Sequence, residues 1–317
     1  MNPVKNPLYV PPGNAEERGD YALDIYAGCP HGCPYCYAPD VLRVSREKFR
    51  AHTEPRPGIV EALEKQLHEM REEDIAGKTA YLCPFCDPYP QGCDTSVTRE
   101  VIQCLKRYGW HIRILTKGDG VRDADLLDMN DWYGVTLDGN RAQWDRETMT
   151  YGGLSQEELF ESLKVVHKRA NTWVSFEPAL DAKMVLQTLR ACVRQSPPRG
   201  RDSRVADKVT IGKLDFRPSD IDWAKFGRAA ALVCDSVGLD FHVTDSLRAQ
   251  MRDSMSRVEF TEFIHDKWNV GDNSTLGPQL LDGAVAYAGK LKPEDRLAFF
   301  KEMLPSVPEI LFECVRY

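Results

Sequence analysis

The chain has 317 residues, a formal net charge of −7 and 42% hydrophobic residues. A chain of this size buries one large core or two modest ones, and its acidic balance disfavours a generally basic surface for nucleic acid. No stretch approaches the roughly 18 apolar residues that a membrane-spanning helix needs.

Short β-rich stretches alternate with helical stretches along most of the chain. Strands are predicted at 23–26, 79–83, 111–116, 132–137, 172–176, 208–212 and 239–243. A helix is predicted at 58–71, where Leu63 and Leu67 fall on one apolar stripe, and Ser155 with Glu158 forms a capping box at the start of another. This alternation predicts parallel strands joined by crossover helices.

The fold expected from this order is a partial (β/α)6-type barrel. We assign residues 21–255 to the barrel, 1–20 to an N-terminal extension and 256–317 to a helical C-terminal extension. Apolar helical stretches near 280–287 and 293–303 are the basis for the C-terminal assignment.

Three cysteines lie in one short loop directly after the first predicted strand. Cys29, Cys33 and Cys36 have the spacing Cys-x3-Cys-x2-Cys, with Gly28 and Gly32 beside them. A structural zinc or a closed electron-transfer cluster takes four protein ligands, so three thiolates leave one coordination position open. An iron centre with an open position can bind a substrate or a cofactor.

Two further roles for the cysteines stay open. One is a zinc knuckle completed by His31 or by a distant ligand. The second is a set of disulfides, which the missing apolar leader at 1–7 disfavours; a reducing, cytoplasmic location is the expectation.

The cysteine loop resembles the CxxxCxΦC signature of the radical S-adenosylmethionine (SAM) superfamily, with Tyr35 at the aromatic position. Further fragments are similar to the spore photoproduct lyase-like branch of that superfamily and occur in the expected order. They are Asp87-Pro88-Tyr89, Thr98-Arg99, Ile114-Leu115-Thr116-Lys117, Gly212-Lys213-Leu214 and Asp245-Ser246-Leu247.

The resemblance implies a radical SAM barrel in which the three cysteines hold a 4Fe-4S cluster. In that superfamily an electron from the cluster cleaves SAM to methionine and a 5′-deoxyadenosyl radical, which abstracts hydrogen from a substrate. A flavodoxin or ferredoxin is the implied reductant. The expected substrate is a nucleobase, nucleotide or nucleic acid, and a peptide or small metabolite stays open.

The resemblance and the strand ends together nominate the residues that contact SAM. Carried over by position, Lys117 meets the SAM carboxylate or ribose, and Thr136 takes the place of a serine that contacts SAM. The remaining candidates for cofactor binding are Tyr35, Tyr37, Asp87, Asp138, Glu177 and Lys213.

Candidates for hydrogen-atom donation follow the second strand. The lyase quenches a substrate radical with a cysteine in this region, and here Cys83, Cys86 and Tyr89 are available. The spacing departs from that of the lyase, so we do not predict lyase activity.

Two alternatives to these assignments remain. Cys83, Cys86 and Cys93, with Cys104, form a candidate second metal site, although reduced free thiols are the expectation. The alternative to an enzyme is a zinc or iron-sulfur module that recruits partners.

Overall fold

The computed structural model describes residues 5–11, 18–75, 77–139, 153–193, 205–215 and 217–252. The predicted C-terminal extension lies outside these residues. None of the described helices combines the length and the apolar character that crossing a membrane requires.

The described strands form one seven-stranded sheet in which every neighbouring pair is parallel. The strands lie in sequence order, each beside the next. They are β1 Tyr21–Leu23, β2 Thr79–Leu82, β3 His111–Thr116, β4 Trp132–Thr136, β5 Asn171–Phe176, β6 Lys208–Ile211 and β7 Asp240–Val243. The predicted parallel α/β architecture is confirmed, with seven strands in the sheet where a six-strand barrel was expected.

Helices occupy the connections between strands. Their bounds are Ala38–Leu42, Arg46–Ala51, Ile59–Glu69, Glu72–Ile75, Ser96–Arg107, Gln156–Val166, Ala182–Ala191, Trp223–Ser236 and Asp245–Arg252, with a 3-10 helix at Val121–Leu126. The predicted capping box at Ser155 and Glu158 is present, with each side chain meeting the other residue's backbone amide. Residues 24–26 belong to a loop rather than to the first strand, because Ile25 accepts a hydrogen bond from Arg56 instead of pairing with β2.

The two faces of the sheet differ in chemistry because side chains alternate along each strand. On β3, Ile112 and Ile114 are fully buried, whereas Arg113 between them is only partly buried. Crossovers of one hand between sequential parallel strands place the helices on a single face. The opposite face is left to polar and aromatic side chains, and candidate ligand sites lie there.

The described part of the predicted N-terminal extension packs on the barrel. Tyr9 pairs with Ala22 of β1 in both directions, and the Tyr9 hydroxyl donates to Asp24 Oδ2 at 2.7 Å. Leu8 is buried and exchanges two hydrogen bonds with the Gln66 side chain.

A buried carboxylate joins β3 to the turn that precedes β4. Asp131 Oδ1 accepts from the Ile112 amide at 2.7 Å, and Asp131 Oδ2 accepts from the Asp128 amide at 2.8 Å and from Lys106 Nζ at 2.7 Å. The Asp131 side chain is 0% exposed, so water cannot reach its oxygens and these three protein donors satisfy them.

We expect Asp131→Asn to lower the free energy of unfolding by about 1–3 kcal/mol, because an amide cannot accept from all three donors. Asp128→Asn is the matched control, since Asp128 binds the same Lys106 but is 52% exposed. Its effect should stay below about 1 kcal/mol. Urea denaturation of both variants measures the difference, and equal losses would show that Asp131 has no special structural role.

Candidate functional site

The three-cysteine loop leaves the carboxyl end of β1 and is held by close backbone packing. A Cβ at Gly28 would lie 2.0 Å from the Phe49 carbonyl oxygen, and the Cys29 amide donates to that same oxygen at 3.1 Å. Gly32 has a φ of +67°, in the left-handed region that favours glycine. Gly28 therefore permits a close approach, and Gly32 permits the turn between Cys29 and Cys33.

One cavity of about 380 Å³ lies beside this loop at the carboxyl ends of the strands. Its size is within the usual range for small-molecule sites. Twelve of the fourteen predicted site residues line it, namely Cys29, Cys33, Tyr35, Cys36, Tyr37, Cys83, Cys86, Asp87, Lys117, Thr136, Glu177 and Lys213. The fold thus brings together residues from separate segments of the chain.

The three loop thiols lie at a protected site. Burial raises the pKa of Cys33 to about 11 although the Lys117 ammonium opposes the shift, and burial also raises the pKa of Cys29 and Cys36. Metal binding to such thiols releases their protons, so the bound metal has to supply the charge that keeps them as thiolates.

Lys117 lies at the end of β3 and places a positive charge in the cavity. Its Nζ lies 5.6 Å from the centre of the Tyr35 ring, and the Tyr35 hydroxyl donates to Asp138 Oδ2 at 2.7 Å. Burial alone would lower the pKa of Lys117, but Cys33, Asp138 and other acidic groups raise it above the usual value. Lys117 therefore stays charged, and Asp138, which does not line the cavity, accepts the hydrogen bond of Tyr35 in the cavity wall.

The Asp87 carboxylate ties the cysteine loop to the ends of β2 and β3. Its Oδ1 accepts from the Tyr89 amide at 2.8 Å and from Thr116 Oγ1 at 2.5 Å, and its Oδ2 accepts from the Lys117 amide at 2.8 Å. His31 Nδ1, in the cysteine loop, lies 3.3 Å from Oδ2. Asp87 lines the cavity, but its oxygens are committed to groups of the protein.

The second nitrogen of His31 also has a partner. Its Nε2 lies 3.1 Å from the Gln91 amide, which donates to it, so the proton of a neutral ring resides on Nδ1 and points toward Asp87. Burial raises the pKa of Asp87, but the contacts from His31, Thr116 and Lys117 outweigh it and lower that pKa below its ordinary value.

Cys83 and Cys86 follow β2 on one side of the cavity. Cys86 Sγ lies 3.6 Å from Asp24 Oδ1, and burial together with Cys83 and Asp24 raises the pKa of Cys86 well above that of a free thiol. Because its pKa is raised, Cys86 is a protonated thiol at neutral pH. Cys83 has a φ of +60°, which is uncommon for a residue with a side chain.

The structure does not bring Tyr89 to the cavity. Tyr89 is 2% exposed and packs against Gly118 and Gly120. A Cβ at Gly118 would collide with the Tyr89 backbone, and a Cβ at Gly120 would collide with the Tyr89 ring. Burial and the nearby Asp123 raise its pKa well above 10. Asp87-Pro88-Tyr89 thus combines one side chain that reaches the cavity with one that belongs to the core.

Among the described residues, no three His, Cys, Asp or Glu side chains lie close enough to surround a single metal ion. The described cysteines carry free thiols. Cys104 is fully buried in the hydrophobic core, as its helical position predicts, and Cys93 does not line the cavity. The second metal site remains a prediction without a formed ligand set in these residues.

No protein-family model matches the sequence, and no curated protein matches it. Among solved structures, the chain is similar to a double mutant of spore photoproduct lyase with bound AdoMet and dinucleoside spore photoproduct. The TM-score is 0.46 and the identity is 13%, over 91% of this chain and 75% of that chain.

Sequence reasoning overlooked Arg18 and Asp24. Arg18 lies in the predicted N-terminal extension, yet its Nη2 is ion-paired with Glu177 in the wall of the cavity. Asp24 lies within the first predicted strand, and that position gives no sign of its contact with Cys86. A lone arginine near an amino terminus carries no sequence signal for such a pairing.

We expect Asp87→Asn to lower the free energy of unfolding by about 1–3 kcal/mol at neutral pH, because an amide loses one acceptor and the negative charge opposite His31. The pKa of Asp87 is lower in the folded state, so its contribution is present above about pH 4 and is lost as the pH falls through the native pKa. The gap between wild type and variant should therefore narrow in acid.

Urea denaturation at several pH values tests this prediction. Asp94→Asn is the control, because Asp94 is an exposed residue that caps a turn at Ser96. A variant as stable as this control, or a gap that does not change with pH, would contradict the role of the Asp87 carboxylate.

Proposed function

We propose that the protein is a radical SAM enzyme. The observation that carries the proposal is the meeting of three thiols from one loop, Cys29, Cys33 and Cys36, with the charged Lys117 around one cavity. Three thiols suit an iron-sulfur cluster with one iron left open, and the ammonium suits the carboxylate of SAM.

The residues fit the implied cofactors in number and chemistry. A structural zinc site takes four protein ligands, whereas three thiolates leave one iron of a four-iron cluster open for SAM. Bound here, the cluster would supply the electron that cleaves SAM and so produces the 5′-deoxyadenosyl radical.

The chain's own residues would bind and orient SAM. Lys117 pairs with the SAM carboxylate, and Asp138 fixes the Tyr35 ring against which the Lys117 ammonium lies. Thr136, at the end of β4, offers a hydroxyl for hydrogen bonding. Asp87 contacts the Lys117 amide and His31, so it fixes the backbone of Lys117 and the cysteine loop around the SAM site.

Cys86 is the preferred candidate for the hydrogen-atom donor. Hydrogen-atom transfer requires the S–H form, which the raised pKa of Cys86 preserves. Asp24, beside it, is held by the Tyr9 hydroxyl and the Phe85 amide. Cys83 lines the same wall and is the second candidate, whereas the buried position of Tyr89 does not support it as a donor.

The substrate class and partners complete the proposal. A reductant such as a flavodoxin or ferredoxin in a reducing, cytoplasmic setting would deliver the electron. A nucleobase, nucleotide or nucleic acid is the leading substrate class, on the sequence resemblance alone.

Anaerobically reconstituted protein should contain about four irons per chain, absorb broadly in the visible and form 5′-deoxyadenosine from SAM when reduced. Cys33→Ala should lose the absorbance and the product, because the cluster loses one of three ligands. Cys104→Ala is the matched control, since Cys104 is buried in the core, and it should keep both.

Iron content, zinc content and visible spectra distinguish the enzyme from the recruitment module. Colourless protein with one zinc would contradict the enzyme and favour the module. About eight irons, falling to about four in Cys93→Ala, would establish a second cluster instead of free thiols.

Lys117→Met should weaken SAM binding about 10- to 100-fold, because a charge-assisted hydrogen bond to the SAM carboxylate is lost. Equilibrium dialysis with reconstituted protein measures the dissociation constant. Lys65→Met is the control, since Lys65 is 74% exposed on a helix, and its affinity should equal that of wild type. Unchanged affinity in Lys117→Met would remove Lys117 from the SAM site.

A further inference from the structure

A second cavity of about 290 Å³ lies on the polar face of the sheet, next to the cavity of the three cysteines. Five adjacent strands contribute to it, from Arg113 on β3 to His242 on β7. The other lining residues are Arg18, Trp132, Trp173, Glu177, Lys208, Thr210, Thr244 and Asp245. Among the residues that line this cavity, the sequence predicts a role only for Glu177.

Arg18 and Glu177 line both cavities, so the two cavities meet at this ion pair. Arg18 Nη2 is ion-paired with Glu177, and Arg18 Nη1 donates to the Tyr81 hydroxyl at 3.2 Å. The Arg18 guanidinium also lies 5.6 Å from the Trp173 ring centre and 5.7 Å from that of Tyr81. Arg18 is therefore held by several contacts at the point where the two cavities meet.

Positive charge dominates the second cavity. Arg18, Arg113 and Lys208 supply three cations, whereas Glu177 and Asp245 supply two anions. Asp245 is 74% exposed and lies 3.6 Å from Arg248, so its charge is directed largely to solvent. Burial, and then the nearby charge of Arg18, lowers the pKa of Arg113. A bound anion would favour the charged form of Arg113.

Two indole rings supply the apolar surface of the cavity. Trp173 is 5% exposed and donates its Nε1–H to the Ile114 carbonyl at 3.1 Å, which fixes the ring. Gly134 leaves the space for it, since a Cβ there would lie 2.0 Å from Trp173 Nε1. Trp132 lies under the Arg113 guanidinium, 5.6 Å from its ring centre. Fixed aromatic faces beside cations suit a planar ring that carries an anionic group.

We propose that this second cavity binds the substrate, and that the substrate is a small molecule with a planar ring and an anionic group. The ring stacks on Trp132, and the anion pairs with Arg113 and Lys208. A volume of about 290 Å³ limits the bound part to one ring system with its anionic arm. The role as substrate rests on the proposed function, because the ligand lies beside SAM only if SAM occupies the adjoining cavity.

Tryptophan fluorescence of the full-length reconstituted protein tests the site without turnover. Thymidine 5′-monophosphate and benzoate are titrated as a phosphate and a carboxylate, against thymidine and benzamide as their uncharged counterparts. At least one anionic ligand should bind about tenfold more tightly than its counterpart and lose affinity as salt rises. The better anion identifies the phosphate or the carboxylate class.

Variants of lining residues test whether the preference for the anionic ligand arises in this cavity. Arg113→Gln should abolish the preference for the anion, whereas Arg113→Lys, which keeps the charge, should retain it. Trp132→Phe should reduce the quenching by the ligand. Arg107→Gln and Trp223→Phe are the controls, since Arg107 pairs with Glu64 on the surface and Trp223 contacts Phe226 outside the cavity.

Two results would overturn the proposal. One is that neither anionic ligand binds better than its uncharged counterpart. The other is that Arg113→Gln behaves like Arg107→Gln. Because binding is measured without reductant, a protein that binds the ligand but forms no 5′-deoxyadenosine would retain the site and refute the proposed enzymatic function alone.

Discussion

The arrangement of the candidate site depends on the hydrogen bonds of one buried carboxylate, Asp87. It connects His31 in the cysteine loop with Tyr89 after β2 and with Thr116 and Lys117 at the end of β3. These segments are far apart in the chain, and a charge at 6% exposure is stable only where such partners surround it. The position of the three thiols relative to the Lys117 ammonium is therefore fixed by contacts outside both groups.

The polar face of the sheet is organised around the charge of Arg18, whose side chain is 18% exposed. Arg18 reaches from the amino-terminal segment to Glu177 and lies against the rings of Tyr81 and Trp173. It lies where a cavity with thiols meets a cavity with cations and indoles.

Strand and helix positions follow closely from the sequence. Alternation of apolar and polar residues in β3 and the Ser155–Glu158 capping box depend on neighbours within a few positions, so they can be recognised locally. The burial of Tyr89 in the core could not be recognised in this way. It follows Asp87 by two residues, yet Gly118 and Gly120 from a later loop leave it the space to turn into the core.

The sequence by itself determined the parallel α/β order of the chain and the loop of three cysteines after the first strand, because spacing, alternation and glycine positions are local properties. Only the tertiary structure decided which distant side chains meet that loop. Arg18, Asp24 and the second cavity depend on strand register and on packing between segments more than 50 residues apart, as in the 3.6 Å contact of Asp24 with Cys86 across 62 positions. Such contacts are set by the three-dimensional path of the backbone, and no pattern within a short window encodes them.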